Sequence, residues 1–207
     1  MIARRLFLLA AAGIATMASV GGEAAAAVDP ETAKDFVRSL SNDAIQLMAR
    51  KDLPSPERTQ KFRELFKRGF DVEGIGRFVL GRYWREASET EQAEYVKLFE
   101  DLIVATYAGR FSEYSGETVT IIDARPDETF TVVMSQINRT GGNPPIRIDW
   151  RIVDNQGASK IADVVVEGVS MSVTQRSEFA SVIQRGGGKV QSLIAALRDK
   201  TKAMQAR

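Results

Sequence analysis

Ile146-Arg147-Ile148-Asp149-Trp150-Arg151-Ile152 alternates apolar with charged side chains at every step. A period of two is the mark of a strand with one covered and one wet face. The β character extends to both sides of this stretch. Between Glu117 and Gly168 the sequence predicts four strands, over 117–125, 129–138, 145–154 and 159–168. Pro126-Asp127, Gly141-Gly142-Asn143 and Asn155-Gln156-Gly157 supply the turns between them. Connections this short make an antiparallel meander. Alternation assigns Phe130, Val132 and Met134 to the inward face, with Ile146, Ile148, Trp150 and Ile152, and with Ala162, Val164 and Val166. Arg147, Asp149, Arg151, Asp163 and Glu167 fall on the other face. The apolar face needs helices to cover it.

Those helices are written on either side of the meander. Asp29-Pro30 offers a cap and an N1 proline, and Ala33, Phe36, Val37, Leu40, Ala44, Leu47 and Met48 follow at helical spacing. A second helix opens at Ser55-Pro56-Glu57, with Phe62, Leu65 and Phe66 inward, and ends near Gly69. A third runs from about Val72 to Leu80 and stops at Gly81. Ser88-Glu89-Thr90-Glu91 is a capping box that opens a long helix to about Tyr114. After the strands, Ser172 or Thr174 is expected to cap a helix carrying Phe179, Val182 and Ile183. Gly186-Gly187-Gly188 separates it from a last helix with Val190, Leu193, Ile194 and Leu197, and Lys200 to Arg207 is expected to fray. The fold class is therefore α+β, with helices packed over one four-stranded antiparallel sheet.

The N-terminus reads as an export signal. Met1-Ile2-Ala3-Arg4-Arg5 is a basic n-region, and Ala24-Ala25-Ala26-Ala27 offers the small residues of a cleavage site. The apolar run between them, Leu6 to Val20, spans 15 residues, short of the roughly 20 that cross a bilayer. Residues 1–27 are thus expected to be a cleavable signal peptide, cut after Ala26 or Ala27, and residues 28–207 one domain. Arg4-Arg5-Leu6-Phe7-Leu8 also has the spacing of a twin-arginine signal. Paired basic residues suit an ordinary Sec signal equally, and both routes lead to the periplasm.

Composition removes whole classes of chemistry. The chain contains no Cys and no His. Disulfides, thiolate nucleophiles, Ser-His-Asp triads and His or Cys metal ligands are all excluded. No metal and no cofactor are expected. Taking Arg4, Arg5 and Glu23 from 28 basic and 27 acidic residues leaves 26 of each. That balance argues against nucleic acid as a partner, since binding phosphates requires a basic excess.

Two segments carry the chemistry that remains. Phe78-Val79-Leu80-Gly81-Arg82-Tyr83-Trp84-Arg85 sets large apolar residues and two adjacent aromatics between arginines. Helix-end packing accounts for such a cluster. It also suits a pocket lining with Arg82 or Arg85 meeting an anionic group at the mouth. Val164 to Phe179 runs from strand into helix start, where free N–H groups can hold an anion. Ser170, Ser172 and Thr174 there are more commonly caps, and Met171 is a flexible filler of core or pocket.

These segments resemble the MlaC family of periplasmic phospholipid-binding proteins, which serve an outer-membrane lipid-asymmetry, or toluene-tolerance, ABC transport system. The resemblance rests on Phe70-Asp71, Ile75 to Arg85, Tyr107-Ala108-Gly109-Arg110-Phe111, Ile148-Asp149-Trp150-Arg151, Asp163 to Met171 and Gln175 to Phe179, in that order. It implies helices over a strongly curved sheet that enclose an apolar cavity for acyl chains. It further implies a monomeric, non-enzymatic shuttle between an outer-membrane lipoprotein complex and an inner-membrane ABC transporter. A related branch associated with hopanoid synthesis leaves the lipid's identity open.

A carrier needs no reacting group, only cover for its cargo. Each buried methylene is worth roughly 0.8 kcal/mol, so two chains totalling about 30 methylenes gain on the order of 20 kcal/mol at most. The expected wall is Val132, Met134, Ile148, Trp150, Val164 and Val166 from the sheet, with Phe78, Val79, Tyr83, Trp84, Tyr107, Phe111 and Met171 from covering elements. Arg82 and Arg85 are the head-group candidates. A small-molecule enzyme on a cone-shaped scaffold would instead need a buried carboxylate, for which Asp149 and Asp163 are the candidates; alternation sets both on the wetter face. A docking adaptor would have a solid core.

Overall fold

A computed structural model describes residues 27–109 and 111–205. Residues 1–26 of the expected export signal, 1–27, lie outside the described residues. The chain order is α1 (Pro30–Ala49), α2 (Ser55–Gly69), α3 (Val72–Leu80), a 3₁₀ turn (Gly81–Trp84), α4 (Glu89–Ala108) and a second 3₁₀ turn (Phe111–Glu113). Then come β1 (Thr118–Asp127), β2 (Phe130–Asn138), β3 (Ile146–Asn155), β4 (Ala158–Val166), β5 (Val169–Ser170), α5 (Met171–Arg185) and α6 (Val190–Gln205). The five strands form one antiparallel sheet in sequence order. Among the described residues no helix is long and apolar enough to cross a membrane.

Local chemistry sets the helix boundaries. The Asp29 carboxylate accepts from the Thr32 amide ahead of Pro30, and Asp71 accepts from Gly74. Ser88 and Glu91 complete a reciprocal capping box, each satisfying a backbone donor at the start of α4. The amide and hydroxyl of Ser88 hold the Glu91 carboxyl below its usual pKa. The α5 cap differs from expectation: Ser170, rather than Ser172 or Thr174, accepts from the Val173 amide. The chain turns two residues earlier than alternation suggests, at Glu167-Gly168. Both residues have positive φ, which suits a two-residue hairpin. Glu167 tolerates this because its carboxylate and amide both bond to the Arg147 backbone. This hairpin is why the sheet has five strands and not four. The expected fraying after Lys200 is also corrected, because α6 continues to Gln205 and buries Thr201.

Register decides which residues face inward. Val133 pairs with Trp150, and Trp150 with Val164; Ser135 pairs with Ile148, and Ile148 with Val166. Directly opposed residues share a face, so β2 turns Thr131, Val133, Ser135 and Ile137 inward. Val132 and Met134, expected inward, are on the opposite face. The flanking partners of Val132 are Arg125 and Arg151, and those of Met134 are Asp123 and Asp149. Polar groups at inward positions made the true parity of β2 look wrong. They are satisfied locally: Thr131 donates to the Val28 carbonyl, while Ser135 donates to the Ile148 carbonyl and accepts from Trp150 Nε1.

Two bulges break the alternation elsewhere. Ile122 is the extra residue of β1, and Ala162 that of β4. A bulge bends its strand and increases local twist. The second one sends Ile161 inward in place of Ala162, and Ile161 is fully buried. It also alters the surroundings of Asp163, which is 5% exposed rather than wet.

The apolar residues gather into two clusters. One is helical, built from Val79, Leu80, Tyr83, Tyr95, Phe99, Phe179, Ile183, Leu193 and Ile194 with their neighbours. Burial there pushes the Tyr95 phenol far above its ordinary pKa, and its hydroxyl donates to the Gly76 carbonyl. The other cluster sets Ala33, Val37 and Leu40 of α1 against Val133, Ile152 and Ile161 of the sheet. The α2–α3 junction is pinned to the sheet edge through a Phe70–Ile161 bridge and the Asp71 amide on the Ile161 carbonyl. Lys160 Nζ adds bonds to the Lys67 and Arg68 carbonyls at the end of α2.

Candidate functional site: an apolar pocket

A pocket of about 800 Å³ lies where the two clusters face each other. Its walls take Val37, Leu40 and Ala44 from α1, Phe62, Leu65 and Phe66 from α2, and Ile75 and Val79 from α3. Phe99, Ile103 and Tyr107 of α4 add to these. The sheet contributes Ile137, Ile146, Ile148, Trp150, Ile161, Val164 and Val166. Val37, Leu40 and Ile161 belong to the sheet cluster, Val79 and Phe99 to the helical one. The pocket is thus the unfilled seam between two cores.

Polar groups concentrate at one side. Of the polar lining residues only Ser41 comes from α1, while Asp163, Ser172, Thr174, Gln175 and Glu178 come from the β4–α5 junction. Thr174 and Glu178 are exposed, so this side meets solvent. Asp163 anchors it. One carboxylate oxygen accepts from the Val164 and Ser172 amides at 2.9 and 3.0 Å. The other accepts from the Ser170 hydroxyl at 2.6 Å and Arg151 at 3.1 Å. Both oxygens are used in tying β4 to the start of α5, a positioning arrangement rather than that of a free acid or base.

The structure brings together seven of the residues expected to line a cavity: Val79, Tyr107, Ile148, Trp150, Val164, Val166 and Met171. Six lie elsewhere. Val132 and Met134 are on the far face of the sheet. Tyr83 is 5% exposed within the helical cluster, its hydroxyl bonded to Arg82. Phe111 packs edge-on against Phe62 at 5.1 Å, one layer behind the wall. Phe78 and Trp84, with Arg82 and Arg85, line a separate cleft that shares no residue with the pocket. The main omission from the expected wall was α1 and α2. Their inward stripes, Val37-Leu40-Ala44 and Phe62-Leu65-Phe66, were legible as helix faces but indistinguishable from solid core.

Sheet, helices and pocket together define the class: an α+β domain framing an apolar recess with a polar rim. The MlaC protein family model matches residues 38–199, and the chain belongs to that family. Over 121 residues it is 27% identical to the intermembrane phospholipid transport system binding protein MlaC of Haemophilus influenzae, a match covering 56% of each chain. Over 127 residues it is 23% identical to the toluene tolerance protein ttg2D of Pseudomonas putida, covering 60% of this chain and 58% of that one. The matched region thus spans a little over half the length of these relatives. Among solved structures, the phospholipid-binding protein from Ralstonia solanacearum in complex with a phospholipid superposes with a TM-score of 0.72. It is 25% identical, and the match covers 84% of this chain and 98% of that one.

Proposed function

We propose that this chain is a non-enzymatic phospholipid carrier, exported by residues 1–27 to the periplasm. There it shuttles lipid between an outer-membrane lipoprotein complex and an inner-membrane ABC transporter. The observation that carries the reading is the seam between the two cores. The cavity left by deleting one buried Leu side chain already costs about 2–5 kcal/mol in a packed interior, so a mostly apolar pocket of about 800 Å³ calls for an occupant. Its volume is at the upper end of the roughly 300–1,000 Å³ of small-molecule sites. The acyl chains lie against Val79, Phe99, Ile148, Trp150, Val164 and Val166, and the head group meets solvent near Thr174 and Glu178. Family membership and the phospholipid-bound relative support the ligand class.

The test is uptake. Protein stripped of lipid and then incubated with phospholipid vesicles is expected to be recovered carrying about one phospholipid per chain, as one pocket of this size demands. Folded protein that takes up none contradicts the carrier reading.

A further inference from the structure

The second cleft has a chemistry of its own. It holds about 530 Å³ between α3, the first 3₁₀ turn and α5, and is lined by Gly74, Arg77, Phe78, Gly81, Arg82, Trp84, Arg85 and Arg176. All four arginines are exposed. Ion pairs elsewhere among the described residues use ten carboxylate contacts, and none involves these four. Two of them are positioned from within the fold. Arg176 lies over the Phe78 ring at 5.0 Å and packs against Gly81, where a Cβ would come within 2.9 Å of its guanidinium. Arg82 lies over the Tyr83 ring and bonds its hydroxyl. Arg77 and Arg85 have no side-chain hydrogen bond to another described residue.

We propose that this arginine-lined cleft is a docking site for an acidic segment of a partner protein. Four like charges around one recess repel each other, and a chain otherwise balanced in charge gains nothing from the cluster unless carboxylates complete it. Guanidinium forks bind carboxylates through paired, charge-assisted hydrogen bonds. The floor adds Phe78, 43% exposed, and the half-buried Trp84. Arginine with aromatics is the composition of protein interface anchors. A bilayer is a poorer fit, because a plane of head groups cannot enter a recess and a chain with a net charge of only +1 has little bulk attraction to it. The cleft and the pocket lie on different sides of α3, whose Ile75 and Val79 face the pocket while Arg77 and Phe78 face the cleft. The docking proposal stands on these observations independently of what fills the pocket.

Binding of a labelled peptide of three Asp-Phe-Glu repeats, followed by fluorescence anisotropy, tests it. The full chain is expected to bind, with affinity falling as salt rises. Arg77→Glu with Arg85→Glu is expected to weaken binding by about tenfold or more, since these two arginines have no structural partner to lose. Arg139→Glu with Lys200→Glu, the same charge change placed away from the cleft, is expected to leave it unchanged. If the first pair impairs folding, Arg77→Gln with Arg85→Gln carries the same expectation. Absence of peptide binding, or equal loss in the control pair, overturns the proposal. So does binding to phosphatidylglycerol vesicles through Arg77 and Arg85 while the peptide fails, which would make the cleft a membrane contact.

Discussion

Asp163→Ala is expected to destabilise the chain by about 3 kcal/mol or more, because it strands buried donors and removes a hydrogen-bonded carboxylate. Four groups converge on that side chain: two amides, the Ser170 hydroxyl and Arg151. Ser170 is itself the cap of α5, so the loss propagates to the helix start that brings Met171, Ser172 and Gln175 to the pocket. Asp163→Asn keeps the shape and one acceptor oxygen. It is expected to cost about 1–2 kcal/mol, the range for a hydrogen bond to a charged group made neutral. Urea unfolding measures both. An alanine variant within about 0.5 kcal/mol of the parent, the usual range for an indifferent surface change, contradicts the anchoring role.

The second large effect separates wall from core. Val166 lines the pocket and Val132 lies on the other face of the sheet, 6% exposed between Arg125 and Arg151. Val166→Trp has empty volume to grow into. It is expected to reduce bound lipid by about tenfold, the equivalent of 1.4 kcal/mol, with little change in melting temperature. Val132→Phe has no such room beneath the arginine stems. It is expected to cost about 1–3 kcal/mol through overpacking and to leave lipid occupancy unchanged. Lipid phosphorus per chain and thermal melts of the two variants decide it. The reverse pattern, with Val132→Phe emptied and Val166→Trp full, places the ligand on the wrong face of the sheet.

The comparison of β2 with β3 shows what alternation can and cannot convey. In β3 the charged residues Arg147, Asp149 and Arg151 leave a single parity for the apolar ones, so its inward face was legible. In β2 the apolar residues divide between the two parities, and the inward one also carries Thr131 and Ser135. Only the register with β3, and the bonds that satisfy those hydroxyls, select it. Bulges are illegible for a related reason: Ala162 looks like any inward small residue until a partner strand skips it. The starts of α1 and α4 were readable to the residue because they are written in local capping chemistry, at Asp29-Pro30 and Ser88-Glu91, whereas the uncapped end of α4 was not: it stops at Ala108 rather than about Tyr114. The β5 hairpin was missed because its turn is Glu167-Gly168, and glutamate is an uncommon left-handed residue. The pocket itself was the least legible feature. Leu40, Phe66 and Phe99 face it in the same apolar stripes that pack a solid core, and only the three-dimensional gap between the two clusters distinguishes them.

Mass spectrometry of organic extracts from protein purified from a bacterial host tests the central claim most directly. A carrier whose two apolar clusters are separated by a ligand site is expected to yield phospholipid at close to one molecule per chain. The Val166→Trp variant, purified in parallel, is expected to yield little. Extracts of correctly folded wild-type protein that contain no lipid above the level of an unrelated control protein contradict the account.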